Sequence, residues 1–225
     1  MQGNSSYFLF NPKINNFPIS LSLNKAIMLI LKFILWYFGI VILTSIIFLP
    51  ILKFLNLLPQ ISIKLSELPL SFKLLVFVPI YEEIIFRLPL KFSKQNLFLS
   101  LASLNFMTFY HTFGITILIS ISIIIAFIPY LQIIPEFYYE QLDYIWKKYF
   151  PIIYYGLAII FGFIHLYNFN NLVFVQFLLF PLLVSNQIIM GLIFGYVRVT
   201  YRNGFIYCVL LHFFINLPLI IAAHI

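Results

Sequence analysis

Among the polar residues inside otherwise apolar stretches, eight stand out as types that do chemistry: Glu82, Glu83, Arg87, Asn105, His165, Gln187, His212 and Asn216. Carboxylates and imidazoles at such positions can take up protons, ligate a metal or activate water, and an amide can polarise a carbonyl. A charged side chain at a bilayer centre costs about 2.5–3.5 kcal/mol on insertion scales, so each one needs a partner or a function. The chain has only six acidic residues, and Glu82 and Glu83 account for two of them.

Spacing sorts this group. Glu83 and Arg87 are i,i+4 on one helix face and can pair, whereas Glu82 points about 100° away and has no partner in its own helix. Pro79 lies one turn earlier, frees the carbonyl of Leu75 and can kink the helix, opening a polar pocket beside the carboxylates. His212 and Asn216 are also i,i+4, so they share one face. His165 closes the run Phe161-Gly162-Phe163-Ile164-His165, with Phe161 one turn before it. Gly191 and Gly195 form a small-xxx-small ridge suited to close helix packing. Each of these residues also has a plainer role open to it. Glu83–Arg87 could be a buried ion pair that fixes packing, and a lone intramembrane histidine is often a hydrogen-bonded core residue.

The elements that must position these groups are membrane helices. The 225 residues are 63% hydrophobic and 8% charged, with a mean hydropathy of +1.06. Soluble domains carry about 25% charged residues. The expected fold class is therefore all-α, a polytopic transmembrane bundle of about seven spans. A polar segment, 1–24, precedes a single membrane-embedded domain, 25–225, whose core for the candidate chemistry is 72–92 with 150–218. The spans are expected near 25–50, 72–90, 97–110, 115–134, 151–167, 172–197 and 204 to the C-terminus. The third and fourth read as a hairpin turning at His111-Thr112-Phe113-Gly114. Residues 51–71, with Lys64 and Glu67, read as a loop. The mixed-charge aromatic stretch 135–149 reads as an interfacial amphipathic helix. His111 and His224 fall at a turn and at the terminus, outside the chemistry.

The net charge of +7 fits loop lysines and arginines obeying the positive-inside rule. Lys13, Lys25, Lys91, Lys94, Lys147, Lys148, Arg198 and Arg202 fall on one side of this layout, which places the N-terminus in the cytoplasm. These charges are scattered between spans, so no nucleic-acid partner is expected. The single cysteine, Cys208, allows no intramolecular disulfide and reads as a small core residue. The first apolar run lacks a signal-peptide cleavage site and reads as a retained span. Counted from the cytoplasmic ends, Glu82 and His212 fall at about 12–14 Å depth and His165 at roughly 20 Å.

Three motifs in this order, on separate spans, resemble the CPBP family of intramembrane proteases, which includes the CaaX-processing endopeptidase and bacteriocin-processing and immunity proteins. Glu-Glu-x-x-x-Arg stands as Glu82-Glu83-Ile84-Ile85-Phe86-Arg87, Phe-x-x-x-His as Phe161 to His165, and His-x-x-x-Asn as His212 to Asn216. The stretch between the first two motifs is longer than is usual in that family, and an inserted hairpin at 97–134 accounts for it. The resemblance implies an intramembrane endopeptidase in which Glu82 activates water, His165 orients that water, and His212 and Asn216 polarise the scissile carbonyl. Glu83 and Arg87 would brace the site. No cofactor is expected, with a metalloprotease as the second form: a divalent ion such as zinc held from among Glu82, Glu83, His165 and His212. The implied partners are the lipid bilayer and a membrane-associated peptide or protein substrate, and the implied location is the plasma membrane of a prokaryote. A non-catalytic immunity or scaffold protein of the same fold is the alternative. A Glu/His proton-relay transporter is a third possibility, and the chain lacks the repeats that would support it.

Overall fold

The computed structural model describes residues 8, 10–14, 17–54, 60–61, 73–109, 115–130, 134–170 and 174–222. Among these residues the chain forms ten α-helices: α1 (Leu23–Phe54), α2 (Val78–Phe86), α3 (Lys94–Phe109), α4 (Ile115–Phe127), α5 (Glu136–Lys148), α6 (Phe150–Ile164), α7 (Phe174–Leu178), α8 (Phe180–Leu183), α9 (Ser185–Thr200) and α10 (Gly204–Ala222). Its only ladder among the described residues is a two-residue antiparallel pairing of β1 (Gln60–Ile61) with β2 (Phe169–Asn170). The expected turn at 111–114, His224 and most of the 51–71 loop, including Lys64 and Glu67, lie outside the described residues.

Among the described residues, three helical stretches are long and apolar enough to cross a membrane: Leu23–Phe54, Phe150–Asn168 and Gly204–Ala222. Exposed side chains carry the same message. Leu35 is 72% exposed, and Met28, Ile42, Leu43 and Ile46 also stand bare on α1. An apolar face of that extent on a soluble protein would drive association, whereas in lipid it is the solvated face. At 32 residues, α1 is about 48 Å long, more than a hydrocarbon core of about 30 Å requires.

The span around the two carboxylates is built in three pieces. A π-helical turn, Lys73–Phe77, precedes α2, and a 3-10 turn, Leu88–Leu90, follows it. Pro79 explains the first irregularity. It has no N–H to give to Leu75, and its ring crowds that carbonyl, so the wider turn relieves both problems. Pro89 accounts for the end of α2, because it has no N–H to give to the Ile85 carbonyl and its ring crowds that group. α3 grips α2 through small and polar groups. Ser100 Oγ donates to the Ile85 carbonyl at 2.7 Å, and Tyr81 Oη donates to the Ser103 carbonyl at 2.8 Å. α3 and α4 pack as two helices of a hairpin, joined in part by Asn105 Nδ2 donating to Ser122 Oγ at 3.3 Å. That bond gives Asn105 a structural role.

Two sequence expectations need correction. The expected span at 172–197 is broken: α7, α8 and α9 are separate helices with interruptions at Leu179 and Val184. Pro181 sits in the first turn of α8, where its missing N–H does no harm, but it cannot continue the helix before it. Arg198 is not a loop charge. It lies in the last turn of α9, is buried, and its Nε donates to the Arg87 carbonyl at 3.0 Å.

The basic residues gather at one end through specific bonds. Lys91 Nζ donates to the Tyr201 carbonyl at 3.0 Å. Ile19 N–H donates to the Thr200 carbonyl at 2.9 Å, and Arg202 N–H to the Ile19 carbonyl at 3.0 Å. Lys94 pairs with Glu136. The N-terminal segment, the end of the carboxylate-bearing span, the start of α5 and the α9–α10 turn therefore lie together.

Candidate functional site

The glycine ridge sets how closely α6 and α9 approach. A Cβ on Gly191 would lie 3.0 Å from the Cα of Ala158, and one on Gly195 would lie 2.6 Å from the ring of Tyr154. Tyr154 Oη donates to the Leu192 carbonyl at 2.6 Å across the same seam. This contact also narrows the depth mismatch of His165. Tyr154 lies beside Gly195, and a Cβ there would also meet Leu90. Tyr154 and Leu90 share one core cluster, so the first turn of α6 starts beyond the 3-10 turn that follows α2. Measured from Tyr154, His165 is about 16 Å along its helix, close to the depth of Glu82.

His165, at the C-cap of α6, therefore meets Glu82 from α2 and His212 from α10. His165 Nε2 is 3.9 Å from Glu82 Oε1, and His212 Nε2 is 3.6 Å from Glu82 Oε2. His212 Nδ1 bonds Glu83 Oε1 at 2.9 Å. Glu83 Oε2 in turn sits 3.2 Å from Arg87 Nε, an ion pair without hydrogen-bond alignment. Glu83 is thus not paired with Arg87 alone, as its spacing suggested. It joins Arg87 to His212 and so ties α2 to α10.

Exposure divides the two carboxylates. The side chains of Glu83 and Arg87 are 0% and 1% exposed. Those of Glu82 and His165 keep 11% and 15%. The inner pair is sealed, and the outer pair borders reachable space. Below the inner pair, Arg87 Cζ lies over the rings of Phe161 at 4.4 Å and Phe194 at 5.6 Å. These aromatic faces attract a desolvated guanidinium. Phe194 also packs edge-on against His212 at 5.6 Å. Sequence inspection misses Phe194, whose one visible signal is its place inside the Gly191–Gly195 ridge.

The hydrogen bonds fix the imidazoles. A carbonyl can only accept, so at 2.7 Å from the Phe161 carbonyl His165 Nδ1 carries the hydrogen. Its neutral ring then presents an acceptor at Nε2 toward Glu82. His212 Nδ1 likewise donates to the Glu83 carboxylate, and a doubly protonated ring would donate to Glu82 as well. Separations of 3.6 and 3.9 Å exceed a direct hydrogen bond, so the two imidazoles leave the outer edge of Glu82 without a hydrogen bond from either ring.

The remaining expected residues fall into place differently. Asn216 stands half-buried one turn beyond His212 on the same face, and among the described residues no hydrogen bond or ion pair joins it to the carboxylates. Gln187 lies one turn before Gly191, with its Oε1 buried and unpartnered among the described residues. Cys208 is fully buried and donates to the Phe194 carbonyl at 3.1 Å, so it is a core residue. Among the described residues no group of three His, Cys, Asp or Glu side chains is arranged to hold a metal ion. Glu83 also engages the Nδ1 of His212. Glu82, His165 Nε2 and His212 Nε2 make no hydrogen bond to one another, and the hydrolytic steps are derived from the side chains alone. No family model, curated protein or solved structure matches the chain.

Proposed function

We propose that the chain is an intramembrane endopeptidase that uses Glu82 to activate water against a peptide bond of a membrane-associated substrate, as its three-motif resemblance to CPBP proteases implies. The observation that carries this reading is the meeting of Glu82, His165 and His212 from three separate helices at 3.6 and 3.9 Å. In this reading the chain crosses the membrane about seven times. The passes are α1, residues 73–90, α3, α4, α6, α7 to α9, and α10. The basic end faces the cytoplasm by the Lys/Arg rule, and the cell membrane of a prokaryote is the proposed location.

Hydrolysis then runs as follows. A water between Glu82 and the Nε2 of His165 gives a proton to the carboxylate while its oxygen adds to the scissile carbonyl carbon. Nε2 of His212 faces the same space and, when it carries a hydrogen, donates to the oxyanion. Such donors are worth about 2.7–4 kcal/mol where single ones have been removed from other enzymes. Asn216, one turn along the same face, is the proposed second donor. The proton held by Glu82 passes to the leaving amine as the C–N bond breaks, giving a carboxylic acid and an amine and returning Glu82 to its carboxylate. Glu83 and Arg87 touch no substrate and act by positioning His212.

The direct test is cleavage of a panel of fluorogenic peptides carrying prenyl, acyl or transmembrane anchors by the full chain in proteoliposomes. Glu82→Gln keeps the shape of the carboxylate, and the proposal expects it to abolish turnover with the protein still folded. Wild-type activity in that variant would overturn the assignment of Glu82. If protection of cells against a membrane-active peptide persisted in both Glu82→Gln and His165→Ala, it would favour the non-catalytic immunity or scaffold reading.

A further inference from the structure

Away from the carboxylate cluster, at the basic end, α1 and the end of α9 border an open groove of about 1240 Å³. Its floor is Phe33, Tyr196 and Tyr201, all buried. Its outer wall includes Met28, Leu31 and Leu35, which are 67%, 50% and 72% exposed. Among the described residues, the only charges lining it are Lys25 and Lys32, with no Asp or Glu. Neither lysine has an ion-pair partner among the described residues. Seven residues apart, the two lie about 20° from one another around the helix and about 10.5 Å apart along it. Lys32 Nζ sits over the Trp36 ring, 5.4 Å from its centroid, on the apolar side of the groove.

We infer that this groove binds one anionic phospholipid from the surrounding bilayer, with its phosphate at Lys25 and Lys32 and an acyl chain along Met28, Leu31 and Leu35. Charge complementarity selects the headgroup: two cations with no ion-pair partner, and no carboxylate lining the groove among the described residues, attract a net anion more strongly than a zwitterion. The apolar wall selects a lipid over free phosphate, because it continues from the cations toward the membrane interior. Lys32 is deep enough in α1 that its ammonium must bend back toward the headgroups, which is how long cationic side chains behave in bilayers. Trp36, one turn further in, gives the Lys32 ammonium an aromatic face on the apolar side of the groove.

The site contains its own reporter. Trp36 and Trp146 are the only tryptophans, so Trp146→Phe in the full chain leaves Trp36 as the single tryptophan, excited beyond the absorption of tyrosine. The probe is bilayers of phosphatidylcholine containing a fixed fraction of dibrominated phosphatidylglycerol or of dibrominated phosphatidylcholine, in low-salt buffer. Trp36 should be quenched at a lower mole fraction by the brominated anionic lipid. The preference should reach up to about thirty-fold for two lysines near the surface. Lys25→Ala with Lys32→Ala should abolish this preference, whereas Lys147→Ala with Lys148→Ala on α5 should leave it intact. Added inorganic phosphate should not relieve the quenching. Equal quenching by both lipids in the otherwise unaltered protein, or a preference that survives loss of both α1 lysines, would overturn the site. Equal loss in the two double variants would overturn it too, since it would show general attraction to a basic surface. Both α1 lysines are exposed, so neither substitution disturbs the core, and circular dichroism checks the fold of each variant.

Discussion

Glu82 and Glu83 are neighbours in sequence with different surroundings. Glu83 is sealed between Arg87 and His212, while Glu82 keeps a partly reachable edge facing two imidazoles. Removing one member of a buried ion pair leaves the other charge uncompensated, at a cost of about 3–5 kcal/mol. Arg87→Met should therefore lower the unfolding free energy in micelles by about that amount, as read by denaturant titration. An unchanged transition would show that Arg87 does not neutralise Glu83. The two histidines and the glutamate pair are legible in the sequence because charge inside an apolar run stands out against it. The Glu83–His212 bond is not legible, since it joins residues 129 positions apart and no spacing within one helix encodes it.

At the scale of elements, the close seam between α6 and α9 carries His165 to its place. Gly191 has no room for a side chain, because a Cβ there already sits 3.0 Å from the Ala158 backbone. Gly191→Leu should push the helices apart and destabilise the protein by about 1–3 kcal/mol, the usual range for overpacking. It should also lower peptide turnover more than Gly39→Leu does, because a Cβ on Gly39 meets nothing within 4 Å. Equal effects at the two sites would remove the seam from the account. Most helices sit where hydropathy puts them, including the hairpin of α3 and α4 and the helix at α5. The break of the sixth expected span does not stand out, because averaged hydropathy runs smoothly across Leu179 and Val184. Pro181 is its only local sign. Arg198 misleads for a related reason: a basic residue at a helix end looks like a loop charge until a neighbouring helix covers it.

At the scale of the whole molecule, one end is bolted by Lys91, Arg198 and the strap at Ile19. Burial, with the Arg198 charge adding to it, lowers the Lys91 ammonium from 10.5 to about 8. Below pH 8 the folded and unfolded chains both carry this proton, and the cost of the buried charge is present in full. Between pH 8 and 10.5 the folded chain releases it first, so stability rises with pH across that window. Lys91→Met should remove this rise, measured as the difference in unfolding temperature between wild type and variant at pH 7 and pH 9.5. A difference that does not change with pH would contradict the assignment.

The apolar exterior, the bolted end and the carboxylate cluster together make the central claim that three helices converge to hydrolyse peptide bonds within a membrane. The most direct measurement profiles new protein termini in membranes of cells producing the wild-type chain or Glu82→Gln, with cleavage carried out in ¹⁸O-labelled water. The account predicts a discrete set of membrane-protein cuts in the wild type, with ¹⁸O in the new carboxyl termini, and loss of that set in Glu82→Gln at equal protein level. Identical termini from the two chains would contradict it.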